Sequence, residues 1–521
     1  MMTCTRITSV EYYESMARQI RREAGLSPPD SPLDDTAAAY ARKIADAAAA
    51  EGSAAYEAAY TAAFDRALAT LRQGHTEGRD QVAYYTDNGA GEANGVWWTR
   101  GSGSEVGPGR FGDPFRLCPD GGDVDGRVLR DLAAGRDPES LEPLVRASAN
   151  GGRSVGYDLQ FAAPKSVSVL AAFAGPEERA RILAAHDRAV HRALDYAHAA
   201  GLIVTRTGAQ GRHHAPAAGV SAAVYRHFTS RAQDPQLHSH AVLLNLCVRA
   251  DGSTGGLDNR AILKNAGGIA ALYRSELASG LRSGLGYEAV RAGRNFEIAG
   301  VAEPVLELFS KRRAAIERVA RERGFETSKD RAAAQAAAFD TRARKNREMP
   351  LAALEAEWER QLVQAGWARG AVFEGVRIAA DGIREARVGP AAERRQRLAE
   401  AGLTGALAMQ AVVEERDLVR RVAEALQCEA GADAVLDEVE RLCRDGGVVA
   451  VGRTAEGEAV YATPEMIEAE RGMLRRAYGR QDERAFVPEA VVRRGLLERP
   501  SLRAEQRAAV RHALNRDGVS V

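Results

Sequence analysis

Residues 225–245 read YRHFTSRAQDPQLHSHAVLLN, and no other stretch restricts the fold as tightly. Leu237–Val248 is apolar after its first residues and predicts one long strand. Side chains alternate across a strand, so His238 and His240 share a face one pleat apart. Ser221–Phe228 predicts the preceding strand, with His227 near its end, and Asp234-Pro235 favours a reversal between the two. Such a pairing brings a third imidazole beside the other two. Three neutral imidazoles that leave coordination positions over make a catalytic metal site, not a closed structural one. The remaining histidines lack this company. His186, His191 and His198 recur on one amphipathic helix and read as surface residues, His213-His214 read as a turn, and His75 and His512 as incidental.

The surrounding pattern predicts an α+β fold with a central, mainly antiparallel sheet and flanking helices. Strands are expected at Val155–Phe161 and Leu202–Thr207, and helices over 163–173, 177–199 and 262–285. Before them, residues 3–9 read as a strand, with Tyr12-Tyr13 heading the helical stretch that follows. Residues 33–73 are Ala-rich with helical spacing and read as a helical hairpin inserted near 31–76. Residues 86–127, rich in Gly and Asp around Trp97-Trp98, read as loop. Beyond about residue 300 the chain is helical and charged. From about 404 a helix-helix-strand-strand order resembles a winged-helix hairpin.

A chain of 521 residues exceeds one ordinary domain, and 45% hydrophobic with 27% charged residues is a globular profile. No apolar run approaches a membrane span and the first residues are not a secretory signal, so a cytoplasmic protein without membrane insertion is expected. Five scattered cysteines without a C-x-x-C agree with a reducing compartment. Net charge is zero but uneven: residues 1–150 carry 16 basic and 23 acidic side chains, residues 151–300 carry 17 and 11. The basic middle suits a polyanion. Lys165, Arg206, Arg226 and Arg231 are candidate phosphate contacts, with Trp97 or Trp98 for base stacking.

Asp158 lies on the strand before Pro164-Lys165, where it would take the second ring proton of a metal-bound histidine or a proton from a phenol. Tyrosine occurs 14 times and twice as an adjacent pair, Tyr12-Tyr13 and Tyr84-Tyr85. A free phenol, with a pKa of about 10, attacks poorly at neutral pH. A metal on the scissile phosphate would help it, and the resulting phosphotyrosyl ester would keep the energy of the DNA bond.

These segments together resemble the MobF class of HUH relaxases. GYDLQFAAPKSVSVL is similar to the family's aspartate strand and following helix, HFTSRAQDPQLHSHAVLLN to its metal motif, and AYYTDNG with GVWWTRGSGSEVG to its tyrosine–Gly–Trp segment. VLELFSKRRAAIERVARERG and TPEMIEAERGML resemble the region that joins relaxase to helicase, and SLRAEQRAAVRHALNRDGVSV resembles the opening motif of the helicase. The resemblance implies a relaxase domain over 1–300, a helical connector over 301–370, and the start of a helicase region over 371–521. No G-x-x-x-x-G-K-[ST] occurs, so ATP hydrolysis is not expected.

It also implies that His227, His238 and His240 hold a divalent cation, Mg2+ or Mn2+ ahead of Zn2+. Asp158 would orient a ligand histidine and take the tyrosine proton, Tyr12 would attack first, and Tyr84 or Tyr85 would serve a second transfer. In the family the two tyrosine groups lie close together. Here some seventy residues separate them, so the Ala-rich hairpin is an insertion or only one pair is catalytic. The implied partners are single-stranded DNA at an origin of transfer and conjugation accessory and coupling proteins, with passage into a recipient cell alongside the DNA. The alternatives are a rolling-circle replication initiator, for which Tyr273 is the downstream tyrosine, a non-catalytic single-stranded DNA-binding module, and a three-histidine hydrolase or oxygenase.

Overall fold

The computed structural model describes residues 2–8, 95–101, 113–145, 154–208, 213–230, 232–258, 260–322, 351–387, 389–407, 410–454, 458–479 and 488–514. The first part runs β1 (Met2–Thr8), β2 (Val96–Arg100), α1 (Gly126–Ala133), β3 (Ser154–Ala162), α2 (Lys165–Phe173), α3 (Pro176–Ala199), β4 (Val204–Thr207), β5 (His213–Pro216), β6 (Gly219–Thr229), β7 (Pro235–Val248), β8 (Thr254–Gly255), β9 (Leu257–Asp258) and α4 (Arg260–Leu285). The expected α+β architecture is present. The main sheet has the order β1-β3-β7-β6-β2, with β8 on β7, and every pairing in it is antiparallel.

β7 is central and apolar on both faces. Leu237, Ala241, Leu243 and Cys247 turn to the back, beside Tyr157, Leu159 and Phe161 of β3, and pack against α2, α3 and α4. Val242, Leu244, Leu246 and Val248 turn to the front, where Phe115, Leu129 and Leu132 cover them. On β3 the front-facing Asp158, Gln160 and Ala162 remain half-buried. Among the described residues the apolar front cluster stops short of this end of the sheet, and β7 begins there with its histidines.

β2 falls in the region expected to be loop. Its VWWTR core is flanked by Gly and Asp, which conceal a short strand in the sequence. Register places it along Val220–Val224 of β6. Alternation sends Trp97 into the front core and Trp98 into the back core, both fully buried. The Trp98 indole N–H donates to Asp195 Oδ1 at 2.9 Å. The base-stacking expectation is corrected here, because neither ring leaves a face open to a base. His213 and His214, expected in a turn, lie on strand β5.

The apolar core does not stop at residue 300. After β10 (Ala289–Ala292) and β11 (Asn295–Ile298) come α5 (Glu303–Leu308), α6 (Lys311–Glu322), α7 (Leu351–Gln364) and α8 (Arg369–Ala386). Phe309, Leu354, Trp358, Leu362, Phe373 and Val376 all join the cluster behind the sheet.

The chain continues with α9 (Ala391–Leu407), β12 (Val413–Glu414), α10 (Glu415–Leu426), α11 (Ala432–Arg444), β13 (Val449–Arg453), β14 (Ala459–Ala462), α12 (Pro464–Gly479), α13 (Glu489–Leu497) and α14 (Ala504–Ala513). The expected helix-helix-hairpin order appears in α10, α11, β13 and β14, with β12 as a third strand. This unit shares a second core with Ala271 and Leu272 of α4. Tyr12, Tyr13, Tyr84, Tyr85, Arg231 and the Ala-rich 31–76 stretch lie outside the described residues.

Trp358 is 1% exposed, and its indole N–H donates to the Gln233 carbonyl at 2.7 Å. Trp358→Ala is expected to cost about 3–5 kcal/mol in urea unfolding, as for other buried aromatic truncations. A change within error of wild type would mean that 351–364 is a detachable connector.

Candidate metal centre

His227 and His238 are register partners across β6 and β7, and His240 stands opposite Tyr225. Directly opposed residues bring their Cβ atoms to about 5 Å, and alternate residues along one strand lie within about 7 Å. Sheet geometry alone therefore gathers the three imidazoles. Their ring centroids are 5.1, 5.2 and 5.3 Å apart. One ligand atom from each lies within 4.8 Å of the others, and all three side chains are nearly buried.

The outer nitrogens fix the tautomers. His238 Nδ1 donates to the Gln236 carbonyl at 2.9 Å. His240 Nδ1 lies 2.7 and 2.9 Å from the two oxygens of Asp158. A carbonyl and a carboxylate only accept, so both Nδ1 atoms carry the proton and both Nε2 atoms present lone pairs. A neutral imidazole held in one tautomer by an outer acceptor is the form that ligates a cation. The residues present thus fit a divalent metal. Asp158 uses both oxygens on His240, which suits the orienting role more than that of a proton acceptor.

The turn between β6 and β7 is held from several sides. Ser230 Oγ accepts the N–H groups of Ala232 and Asp234, each at 3.2 Å. Gln233 adopts φ +61°, a conformation costly for a side chain with a Cβ. The Trp358 indole bonds its carbonyl. Asp234 is fully buried, and its carboxylate accepts the backbone N–H of Lys311 at 2.9 Å and the Lys311 ammonium at 3.0 Å. The start of β7 is fastened to α2: Lys165 Nζ donates to the Pro235 carbonyl at 2.8 Å, Ser168 Oγ accepts the Leu237 N–H at 3.0 Å, and Ala163 N–H bonds the Leu237 carbonyl at 2.9 Å. This explains the A-P-K-S-V-S run, in which Lys165 and Ser168 anchor the histidine strand.

The expected phosphate contacts fare differently. Lys165 is turned inward onto Pro235, and burial lowers its pKa. Arg226 lies on the back of the sheet, paired with Asp187 of α3. Both are committed to the protein, which corrects the expectation. Arg206 bonds Asp258 Oδ2 at 3.1 Å but stays more than half exposed.

Sequence reasoning places His186 on the surface, yet it is fully buried. Its Nδ1 lies 2.9 Å from the Tyr273 hydroxyl and its Nε2 2.8 Å from Ser239 Oγ. Its buried neighbours Ala185 and Ala189 are too small to mark an inward face in the sequence. Ile182 and Val190, about one turn away on either side, are the available signal.

A family model described as TrwC relaxase matches residues 50–365. Two curated relatives, both named multifunctional conjugation protein TraI, come from Escherichia coli and its strain K12. The first is 34% identical over 259 residues, covering 47% of this chain and 14% of its own length. The second is 32% identical over 323 residues, covering 60% of this chain and 17% of its own length. The chain thus spans less than a fifth of those relatives. A solved structure of the conjugative relaxase TrwC with oriT DNA, in a metal-bound form, is 32% identical with a TM-score of 0.48, covering 56% of this chain and 96% of that one. Another, TrwC with a 27-mer DNA comprising the recognition hairpin and cleavage site, is 31% identical with a TM-score of 0.47, at the same coverage.

Two outcomes are expected. Asp158→Ala should weaken Mn2+ binding about 10–100-fold by calorimetry, the usual penalty for losing an outer-sphere acceptor; unchanged affinity would remove Asp158 from the site. Burial, with Arg226 next, lowers the His186 pKa from 6.5 to about 3. Below 6.5 the unfolded chain binds a proton that the native chain refuses, so this contribution is complete above 6.5 and is lost as pH falls towards 3. The melting temperature of wild type should fall more steeply between pH 6 and 4 than that of His186→Asn, and equal slopes would contradict a neutral buried ring.

Proposed function

The chain belongs to the TrwC relaxase family, and we propose that it nicks and rejoins single-stranded DNA at an origin of transfer through a tyrosine. The observation that carries this reading is the convergence of three imidazoles, two of them held in one tautomer, inside the matched span. The family and the TraI relatives supply the reaction class, conjugative DNA processing.

In the proposed step a phenol gives up its proton to water as its oxygen attacks the scissile phosphorus, and the P–O3′ bond breaks. The departing strand leaves as a 3′-hydroxyl after taking up a proton, and the 5′ phosphate stays on the protein as a phosphotyrosyl ester. Reversal rejoins the strand without ATP, because the ester keeps the bond energy. A divalent cation on the three histidines would supply Lewis-acid stabilisation of charge developing on the phosphate. His227, His238 and His240 bind and orient it, and Asp158 holds His240 in register. Three imidazoles are softer donors than the oxygen cages Mg2+ favours, so Mn2+ or Zn2+ suits the set better than Mg2+.

Tyr84 and Tyr85 are the favoured source of the nucleophile, ahead of Tyr12. The family match begins at residue 50, which includes the later pair and omits Tyr12 and Tyr13. Gly95 and Val96, which open β2, lie beside Tyr225 and Val224 at the histidine end of β6. β1 ends instead at Thr8 opposite Ser154, the other end of the sheet. The rolling-circle alternative requires Tyr273, whose hydroxyl is bonded to His186 in the back core and whose pKa burial raises well above 10. Arg206 remains a proposed phosphate contact. We further propose that the region beyond α8 leads into a helicase, that the protein works in the bacterial cytoplasm with conjugation accessory and coupling proteins, and that it travels with the DNA. No described helix is long and apolar enough to cross a membrane.

A random-sequence single-stranded DNA library incubated with the chain and Mn2+ tests the reading. SDS-resistant adducts are expected, abolished by EDTA and by His238→Ala, with the modified peptide containing Tyr84 or Tyr85. Tyr84→Phe combined with Tyr85→Phe should remove nearly all of the adduct. Undiminished adduct in that variant would move the nucleophile to Tyr12 or Tyr13, and no adduct from wild type would favour a binding module.

A further inference from the structure

Behind the three imidazoles, α3 inserts two consecutive polar side chains against the back of the sheet. His186 reaches Ser239 Oγ at 2.8 Å, and Asp187 pairs with Arg226. Ser239 and Arg226 are register partners, directly opposite each other across β7 and β6. Ser239 sits between His238 and His240, and Arg226 immediately precedes His227. One turn of α3 therefore holds the cross-strand pair whose chain neighbours are all three histidines.

Apolar packing does not require this arrangement. His186 and Ser239 are both fully buried, within a core otherwise made of residues such as Leu237, Ala241, Val190 and Phe161. Small apolar side chains would fill the same volume without desolvating an imidazole and a hydroxyl. Tyr273 completes the chain at 2.9 Å from the other ring nitrogen, so the network is satisfied at every ring atom able to bond. A fully satisfied buried network adds geometric definition more than stability. Definition is what the front of the sheet needs: a ligand set must be held within about 0.5 Å, while a strand pair is otherwise free to twist and shear.

We propose that His186 and Asp187 are positioning residues for the metal centre, acting through Ser239 and Arg226 to set the height and twist of β7 against β6 and hence the spacing of the donor nitrogens. The proposal rests on the three histidines holding a divalent cation.

Calorimetric titration of the chelator-stripped chain with Mn2+, paired with melting of the metal-free protein, tests it. Ser239→Ala and His186→Asn should each weaken Mn2+ binding about 10–100-fold. The double variant should be no weaker than the worse single one, because both break the same link. Metal-free Ser239→Ala should melt within a few degrees of wild type, and Ser239→Thr, which keeps the hydroxyl, should bind Mn2+ like wild type. Wild-type binding with Ser239→Ala affinity within twofold overturns the proposal alone. So does a loss in Ser239→Thr equal to that in Ser239→Ala, which would make the effect one of packing. No Mn2+ binding by wild type overturns the metal reading and this proposal with it.

Discussion

The site depends on the two-residue alternation of a strand that has something to hold on each side. On β7 the even-numbered residues from His238 to Val248 face the front and the odd-numbered ones from Leu237 to Cys247 face the back, while the pairing with β6 shifts register at both ends, between Val220 and Ala222 and between His227 and Thr229. A one-residue change of register would drive the histidines into the apolar back core and expose Leu237 and Ala241. The hydrophobic effect that fixes the register of β7 therefore also fixes which side the imidazoles occupy. The cation contributes nothing to that choice. The back core, formed by Phe161, Leu170, Val190 and Leu277 among others, makes it in advance.

Register sets the side but not the tenths of an ångström, and polar contacts supply those. Gln236 and Asp158 hold the rings of His238 and His240, and α2 grips Pro235 and Leu237. The turn is held by Lys311 and Trp358. A left-handed residue at Gln233 costs about 1–2 kcal/mol, and it persists because its carbonyl and the neighbouring Asp234 carboxylate are both bonded by the helices that follow residue 300. These are short-range, saturable contacts on a buried scaffold, so they cost little reorganisation when a charged ligand arrives.

Much of this is legible in the sequence, and the parts that are not have a common cause. The histidine hairpin can be read because strand periodicity and an Asp-Pro turn are local signals, and the strands and helices expected from 154 to 285 are present within a few residues, while the short β5, β8 and β9 are not among those expected. β2 escapes because five residues between Gly-rich flanks carry too short a period to stand out. Trp97 and Trp98 then read as free aromatics, when alternation on an unrecognised strand buries one on each face. Lys165 and Arg226 read as DNA contacts because charge is visible in a sequence and the partner that binds it is not: Pro235 lies 70 residues from Lys165, and Asp187 lies 39 from Arg226. His186 misleads for the same reason, its partners Ser239 and Tyr273 being remote in the chain.

The same long-range contacts bear on where the unit that carries the histidines ends. The boundary expected at 300 coincides with the point where the composition turns charged and helical. Composition reports the charged outer positions of α6 to α8, but not their inner faces. Trp358, Leu362 and Phe373 close the back core, and Lys311 reaches Asp234, four residues before His238. A segment that both seals the core and bonds the turn of the histidine hairpin cannot be removed without disturbing the histidines. α4 extends the coupling further, because one of its faces lies in the relaxase core while Ala271 and Leu272 lie in the core of the winged-helix-like unit. Tyr273 of α4 in turn ends the polar chain that runs through His186 to Ser239, between His238 and His240.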